Sequence, residues 1–316
     1  MALAAEQVQT PGQAAAVKSL GLEEWGVAAR PVVGFWRDAW RRYRRDYVAM
    51  VSAVVFVIVL LFVAGANFVS DYITGYTYQE NHLTEKLAKV GEGDYLLGSD
   101  GNGRDVMTRL AYGGRVSLLF ALAAMISVLT LGGLIGSAAG FFGGWFDNVM
   151  MRFAEVLLAL PVLPLLILVS ALYRPPVWQL AVFIGLFSWP GICRLIRGDV
   201  MSIKRREYIE AARVIGAGNG RILFRHIFPN ILPIILVWAS LAVPGYILLE
   251  AVLSYLGVGV QAPQPSWGIM LQEAKQFYRI NWPLIFIPGF MIYITVLSLT
   301  LAGNGIRDAL DVRNKG

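Results

Sequence analysis

One cysteine in 316 residues leaves no internal disulfide to form. Cys193 lies in an apolar run, where a thiol serves as a small buried hydrophobe. Two histidines, His82 and His226, fall in different loops, which argues against a histidine-based metal site. Charge is scarce as well. Charged residues make up 15% of the chain and apolar residues 57%, against about 25% and about 45–50% in soluble globular proteins. The glycine-rich patch at 98–103 is followed by no Gly-Lys-Ser/Thr, so it is not a phosphate loop. No Walker motif, no supported Ser/His/Asp arrangement and no catalytic cluster within an apolar run is present, so a hydrolytic enzyme is the least expected class. The N-terminal Met1-Ala2-Leu3-Ala4-Ala5-Glu6 lacks the basic start and apolar core of a signal peptide. The first span is therefore expected to be retained as an anchor, with residues 1–34 a flexible cytoplasmic extension.

What the chain has instead is apolar length. A span needs about 20 mostly apolar residues. Six runs qualify, at 48–68, 116–140, 153–172, 177–193, 231–256 and 284–302, and Trp189-Pro190-Gly191 interrupts the end of the fourth. The expected fold is an all-α membrane protein with six transmembrane helices spread over residues 48–316. Lys and Arg divide 19 to 8 between alternate sides, a bias that places both termini and the 194–230 loop in the cytoplasm. The net charge of +6 therefore reflects topology, not nucleic-acid binding. The long acidic loop 69–112 falls outside. Within it, Asp100 or Asp105 can pair with Arg104 or Arg109 and lock the 98–105 turn, or these groups can meet cargo.

Smaller features carry further expectations. Trp36, Trp40, Tyr43 and Tyr47 recur at helical spacing over 35–47, with Arg37, Arg41, Arg44 and Arg45 around them. That suits an amphipathic helix lying on anionic lipid, or one docked to a partner. Gly132 and Gly136 form a G-x-x-x-G pattern that favours close helix packing. Pro244-Gly245 would weaken the fifth run locally. Glu250 is the one acid deep in a span, where an ionisable group faces protein or a water-filled cavity. It is either a pathway group for cationic cargo, together with Ser254, or a structural partner of Ser254 and a neighbouring helix.

The segment 207–216 has more internal order than a connecting loop needs. Tyr208, Ala211, Ala212 and Ile215 share one helical face. Glu210 lies one turn from both Arg206 and Arg213. Gly216, Gly218 and Gly220 then stop the helix. The small-residue face suits docking into another protein's groove. An interfacial helix on lipid is the other physical option.

These residues resemble the EAA loop of ABC-importer permeases, through Glu210, Ala211, Ala212, Gly216 and Pro229. Leu97-Gly98-Ser99-Asp100 with Gly103-Arg104-Asp105, Arg109 and Arg115-Val116-Ser117-Leu118 is similar to segments of the dipeptide/oligopeptide permease family. So are Leu249-Glu250-Ala251 through Gln261, Pro265-Ser266-Trp267-Gly268 and Gly303-Asn304-Gly305-Ile306-Arg307-Asp308-Ala309-Leu310-Asp311. Asn304 and Val312 stand where that family usually has Asp and Pro. Order and length resemble its C-type subunit. The resemblance implies a type I importer permease fold and uptake of di- or oligopeptides, with nickel complexes, glutathione or oligosaccharides as other cargoes; an ATP-independent channel or scaffold is the alternative outside the family. It implies a second, B-type permease, two cytoplasmic ATPases carrying ATP and Mg, an extracytoplasmic binding protein, and no cofactor in this chain. Glu207, Tyr208, Glu210, Ala211, Ala212, Arg213 and Gly216 would couple to the ATPases. The loop 257–282 with Trp267, and the turn with Asp100, Arg104 and Asp105, would lie near the outer mouth as gate candidates.

Overall fold

A computed structural model describes residues 35–173, 175–261 and 263–311. The expectation for residues 1–34 lies outside them. Among the described residues the chain is helical, and strand pairing is limited to isolated bridges, Glu92 with Tyr95 and Ser99 with Asp105.

Helix α1 (Phe35–Tyr43) is shorter than the 35–47 element expected from its aromatic spacing. Asp46 ends it by capping the next helix, α2 (Tyr47–Ala64), accepting from the Ala49 amide at 3.1 Å. Tyr47 thus belongs to α2. Trp36 and Trp40 are exposed, and the Arg44 guanidinium lies 5.3 Å from the Trp40 ring centre. The other face is held by protein. Ala39 is buried, and Arg42 donates to the Asp311 carbonyl at 3.1 Å, tying α1 to the far end of the chain.

Helix α3 (Val106–Phe142) starts ten residues before its apolar run, so the preceding loop ends at Asp105, not near residue 112. At 37 residues it is about 55 Å long and overreaches an apolar layer of about 30 Å. Next come α4 (Gly144–Ala159) and α5 (Val162–Tyr173), which together hold the third apolar run. That run is not one straight helix. It bends by 79° at Leu160-Pro161, because Pro161 has no amide hydrogen to continue the ladder and forces Leu160 into an extended conformation. Helix α6 (Val177–Lys204) passes through Pro190 unbroken and extends well past Cys193. Much of the expected 194–230 loop is therefore helix. It continues as α7 (Glu207–Val214), a π-helical turn at Ile222–Ile227, and α8 (Phe228–Tyr255), which also runs unbroken through Pro244. Helices α9 (Trp267–Ala274) and α10 (Pro283–Leu310) complete the set. Among the described residues, five helices are long and apolar enough to cross a membrane, or six if the bent α4–α5 pair counts as one span.

The most extensive helix pair is α3 with α6. Its cause is legible in Gly132, Gly136 and Gly140. A Cβ on Gly136 would sit 2.5 Å from the Cys193 carbonyl oxygen, and one on Gly140 would sit 2.8 Å from that of Arg197. Only glycine admits so close an approach. At one end of the bundle Arg115 of α3 reaches back to the terminus of α2, donating to the Val63 carbonyl at 2.9 Å and the Ala64 carbonyl at 2.6 Å. At the other end Lys204 donates to the Phe141 carbonyl and joins the ends of α3 and α6.

Candidate functional site

Helix α7 begins with Glu207 and Glu210 and carries Arg213 in its last turn, both favourable toward the helix dipole. Its stop is a Schellman motif. The Ala217 amide donates to the Ala212 carbonyl at 3.0 Å and the Gly216 amide to the Arg213 carbonyl at 2.9 Å, with Gly216 at φ +85°. Ile209 and Ala212 form the inward face and are buried, Ile209 beside Ile203, Ile222 and Ile227. The outward face holds Glu207, Tyr208, Glu210 and Ala211 and continues into Val214 and Ile215, which are 87% and 85% exposed. Phe224, on the following turn, is 71% exposed. Two of the sequence expectations change here. Ala212 faces the chain's own core, so the small-residue face is split: Ala211 is presented and Ala212 is an anchor. Glu210 pairs with neither Arg206 nor Arg213 among the described residues. Arg213 turns instead toward α3, 6.0 Å from the ring centre of buried Phe141, which Lys204 also covers at 5.6 Å. Helix α7 is thereby connected directly to the ends of α3 and α6.

The opposite end of the bundle carries a closed charge cluster. Asp100 accepts from the Arg104 Nε at 2.7 Å and from Arg109. Both arginines also pair with Glu273 of α9, each at 2.8 Å. A second oxygen of Asp100 accepts from the amides of Asn102 at 2.8 Å and Arg104 at 3.1 Å. The cavity beside the cluster measures about 20 Å³, room for one water and not for a peptide. Asp105 stands apart from the pairs. It caps α3, accepting from the Thr108 amide at 2.7 Å, and burial pushes its carboxyl above the usual range against that hydrogen bond. Glu273 went unnoticed in the sequence because no motif surrounds it, and only the docking of α9 brings it to Arg104 and Arg109.

Glu250 is fully buried. One carboxylate oxygen accepts from the Ser117 hydroxyl at 2.7 Å and the other from the Ser254 hydroxyl at 2.7 Å. The Ser117 oxygen in turn accepts from the Trp267 amide at 3.3 Å, and the Ser254 oxygen from the Val260 amide at 3.1 Å. The network joins α3, α8 and the start of α9, and it satisfies a carboxylate that would be costly unpaired. Trp267 is buried too, its indole N–H donating to the Leu110 carbonyl at 2.9 Å. It fills the joint of α9 with α3 and presents no surface at a mouth.

A model of the binding-protein-dependent transport system inner membrane component matches residues 132–316, and one of the N-terminal transmembrane domain of oligopeptide transport permease C matches residues 34–89. An oligopeptide transport system permease protein of Haemophilus influenzae is 37% identical over 282 residues, covering 89% of each chain. A dipeptide transport system permease protein of Bacillus subtilis is 36% identical, over 89% of this chain and 87% of that one. A glutathione transport system permease protein of Pectobacterium atrosepticum is 37% identical, over 89% and 92%. Among solved structures, a chain of the inward-facing MetNI methionine ABC transporter aligns at TM-score 0.49 and 19% identity, over 65% of this chain and 97% of that one. The chain is a multi-pass membrane protein and belongs to the family of binding-protein-dependent transport system inner membrane components.

Proposed function

We propose that this chain is one membrane-spanning subunit of an ABC importer that takes up di- or oligopeptides, with ATP and Mg held by partner ATPases. The observation that carries the proposal is α7, which is anchored from below by Ile209 and Ala212 while Val214, Ile215 and Phe224 are left bare. An exposed apolar patch beside charges that pair with no described residue suits a protein contact. The Lys/Arg asymmetry supports a cytoplasmic position for α7, where an ATPase could reach it. Closure of the ATPases would push α7, and the Arg213–Phe141–Lys204 contact would pass that motion to α3 and α6. Glu250 and Trp267 act as joints that keep α3, α8 and α9 moving as one body. A second, distinct permease would complete the path, and a binding protein would deliver cargo at the end bearing the Asp100 cluster.

The test is uptake of radiolabelled dipeptide and pentapeptide into cells expressing the full operon. ATP-dependent accumulation that ceases when this chain is deleted supports the proposal, and peptide-independent transport contradicts it. Glutathione is the second reading, favoured by the 37% identical glutathione permease. Accumulation of glutathione in preference to both peptides would select it.

A further inference from the structure

Helix α1 joins the candidate span α2 through one short turn, Arg44 to Asp46. Helix α2 has 18 residues, none of them charged, and a length of about 27 Å against an apolar layer of about 30 Å. Charged groups mark both of its ends. Asp46 caps its start, and Arg115 donates to the Val63 and Ala64 carbonyls at its close. A span with no length to spare sets Tyr47 at one boundary of the apolar layer, and so sets α1 at the level of the headgroups. Packing holds α1 there. Ala39 is buried, the Tyr43 hydroxyl donates to the Ala49 carbonyl at 3.4 Å, and the Tyr43 ring lies against Gly305 of α10, where a Cβ would come within 3.1 Å of it. The face left outside is sorted by chemistry. At about 100° per residue, Trp36 and Trp40 fall along one edge and Arg37 and Arg41 along the other, with Arg44 and Arg45 following in the turn; all six are exposed. Both acids of the stretch are already engaged, Asp38 with Arg42 at 2.7 Å and Asp46 as the α2 cap. Arg37, Arg41, Arg44 and Arg45 pair with no described acid.

We propose that this face of α1 binds anionic phospholipid, with Trp36 and Trp40 set at the top of the acyl layer and Arg37, Arg41, Arg44 and Arg45 on headgroup phosphates. Tryptophan at the boundary and a basic cluster just outside a span have the chemistry of an anionic membrane surface. The exposed apolar residues of α2 begin at Tyr47 and Val48, directly after the turn that carries Arg44 and Arg45. Lipid that covers the span therefore reaches these guanidinium groups. Four unpaired positive charges favour a lipid with net negative charge over a zwitterionic one, whose own cation opposes them. Arg42 donates to the Asp311 carbonyl at the end of α10, so lipid held by α1 also steadies that helix end. Lipid binding here is independent of the cargo and of the α7 contact.

Native mass spectrometry of the full-length chain, in whatever complex it purifies with, tests this after delipidation and titration with phosphatidylglycerol or phosphatidylcholine. One basic residue at an anionic surface strengthens binding about fivefold. The unmodified chain should prefer phosphatidylglycerol, and the combined Arg37→Gln, Arg41→Gln, Arg44→Gln and Arg45→Gln variant should lose at least about tenfold of that preference. Lysine at the same four positions should keep most of it, because charge sets it. The pairs Arg37→Gln with Arg41→Gln, and Arg44→Gln with Arg45→Gln, should each lose part of it, and they decide the matter if the fourfold variant fails to fold. Equal uptake of the two lipids by the unmodified chain would overturn the proposal, as would an unchanged preference in the glutamine variants. Loss of an ATPase or a second permease from the purified glutamine variant would give the face to protein instead. A rise in the preference when Glu6, Glu23 and Glu24 are replaced by Gln would give it to the amino-terminal segment.

Discussion

The two ends of this bundle hold charge in opposite ways. At one end Asp100, Arg104, Arg109 and Glu273 pair with one another, and Arg109 is nearly inaccessible. At the other, Glu207, Glu210 and Arg206 on and beside α7 are exposed and unpaired among the described residues, next to bare Val214 and Ile215. A closed cluster resists rearrangement, since breaking it leaves buried charge uncompensated. An open one gains from a partner. The difference separates an end whose charges this chain pairs itself from one that leaves them available to the proposed ATPase contact.

Damage at the closed end should cost stability and should be largest where burial is deepest. Trp267→Ala removes a fully buried indole and its hydrogen bond to Leu110. It should destabilise the chain by about 3–5 kcal/mol, seen as a lowered midpoint in thermal unfolding of the purified protein. Arg109→Ala should cost less, about 2–3 kcal/mol, because Arg104 still pairs with both Asp100 and Glu273. Its check is a double-mutant cycle with Glu273→Gln, which should show coupling of at least about 0.5 kcal/mol; additive effects would mean that the cluster is only adjacent charges.

A smaller effect separates Asp105 from that cluster. Asp105→Ala loses the cap of α3 and should cost about 1 kcal/mol, while Asp105→Asn keeps an acceptor. The sign with pH follows from burial. The folded carboxyl titrates above its ordinary value, so folding favours the protonated form. That contribution is complete below the ordinary value and is lost as pH rises through the folded one. Asp105→Asn, which never ionises, should match the unmodified chain in acid and exceed it slightly at neutral pH. Unfolding midpoints taken at both ends of that range decide it, and a pH-independent difference would argue against a buried, ionising cap.

Much of this was legible in the sequence, and the exceptions have physical causes. Apolar length revealed the spans, and the glycines at 132 and 136 revealed a close helix contact. Hydropathy is blind to direction, so it joined α4 to α5; Pro161 was the available sign of their bend. The Asp105-x-x-Thr108 spacing likewise carried a helix-start signal, separate from the ion pairs of the 98–105 turn. Periodicity placed Tyr208, Ala211 and Ala212 on one face but could not say which side of α7 the chain itself would cover. Ile209 decides that, because it is the large apolar residue that must be buried, and Ala212 follows it at i+3. Glu273 could not be found from local pattern at all, since its partners lie about 170 positions earlier.

Helix α7 should show the smallest change in stability and the greatest change in assembly. Val214→Asp and Ala211→Trp alter exposed positions, where substitutions usually stay within about 0.5 kcal/mol. The decisive measurement is the amount of ATPase subunit retained when these two variants are affinity-purified from membranes alongside the unmodified chain. The account predicts unchanged folding and loss of most of the retained ATPase, with peptide uptake falling in parallel. Full ATPase retention and normal uptake in both variants would contradict it.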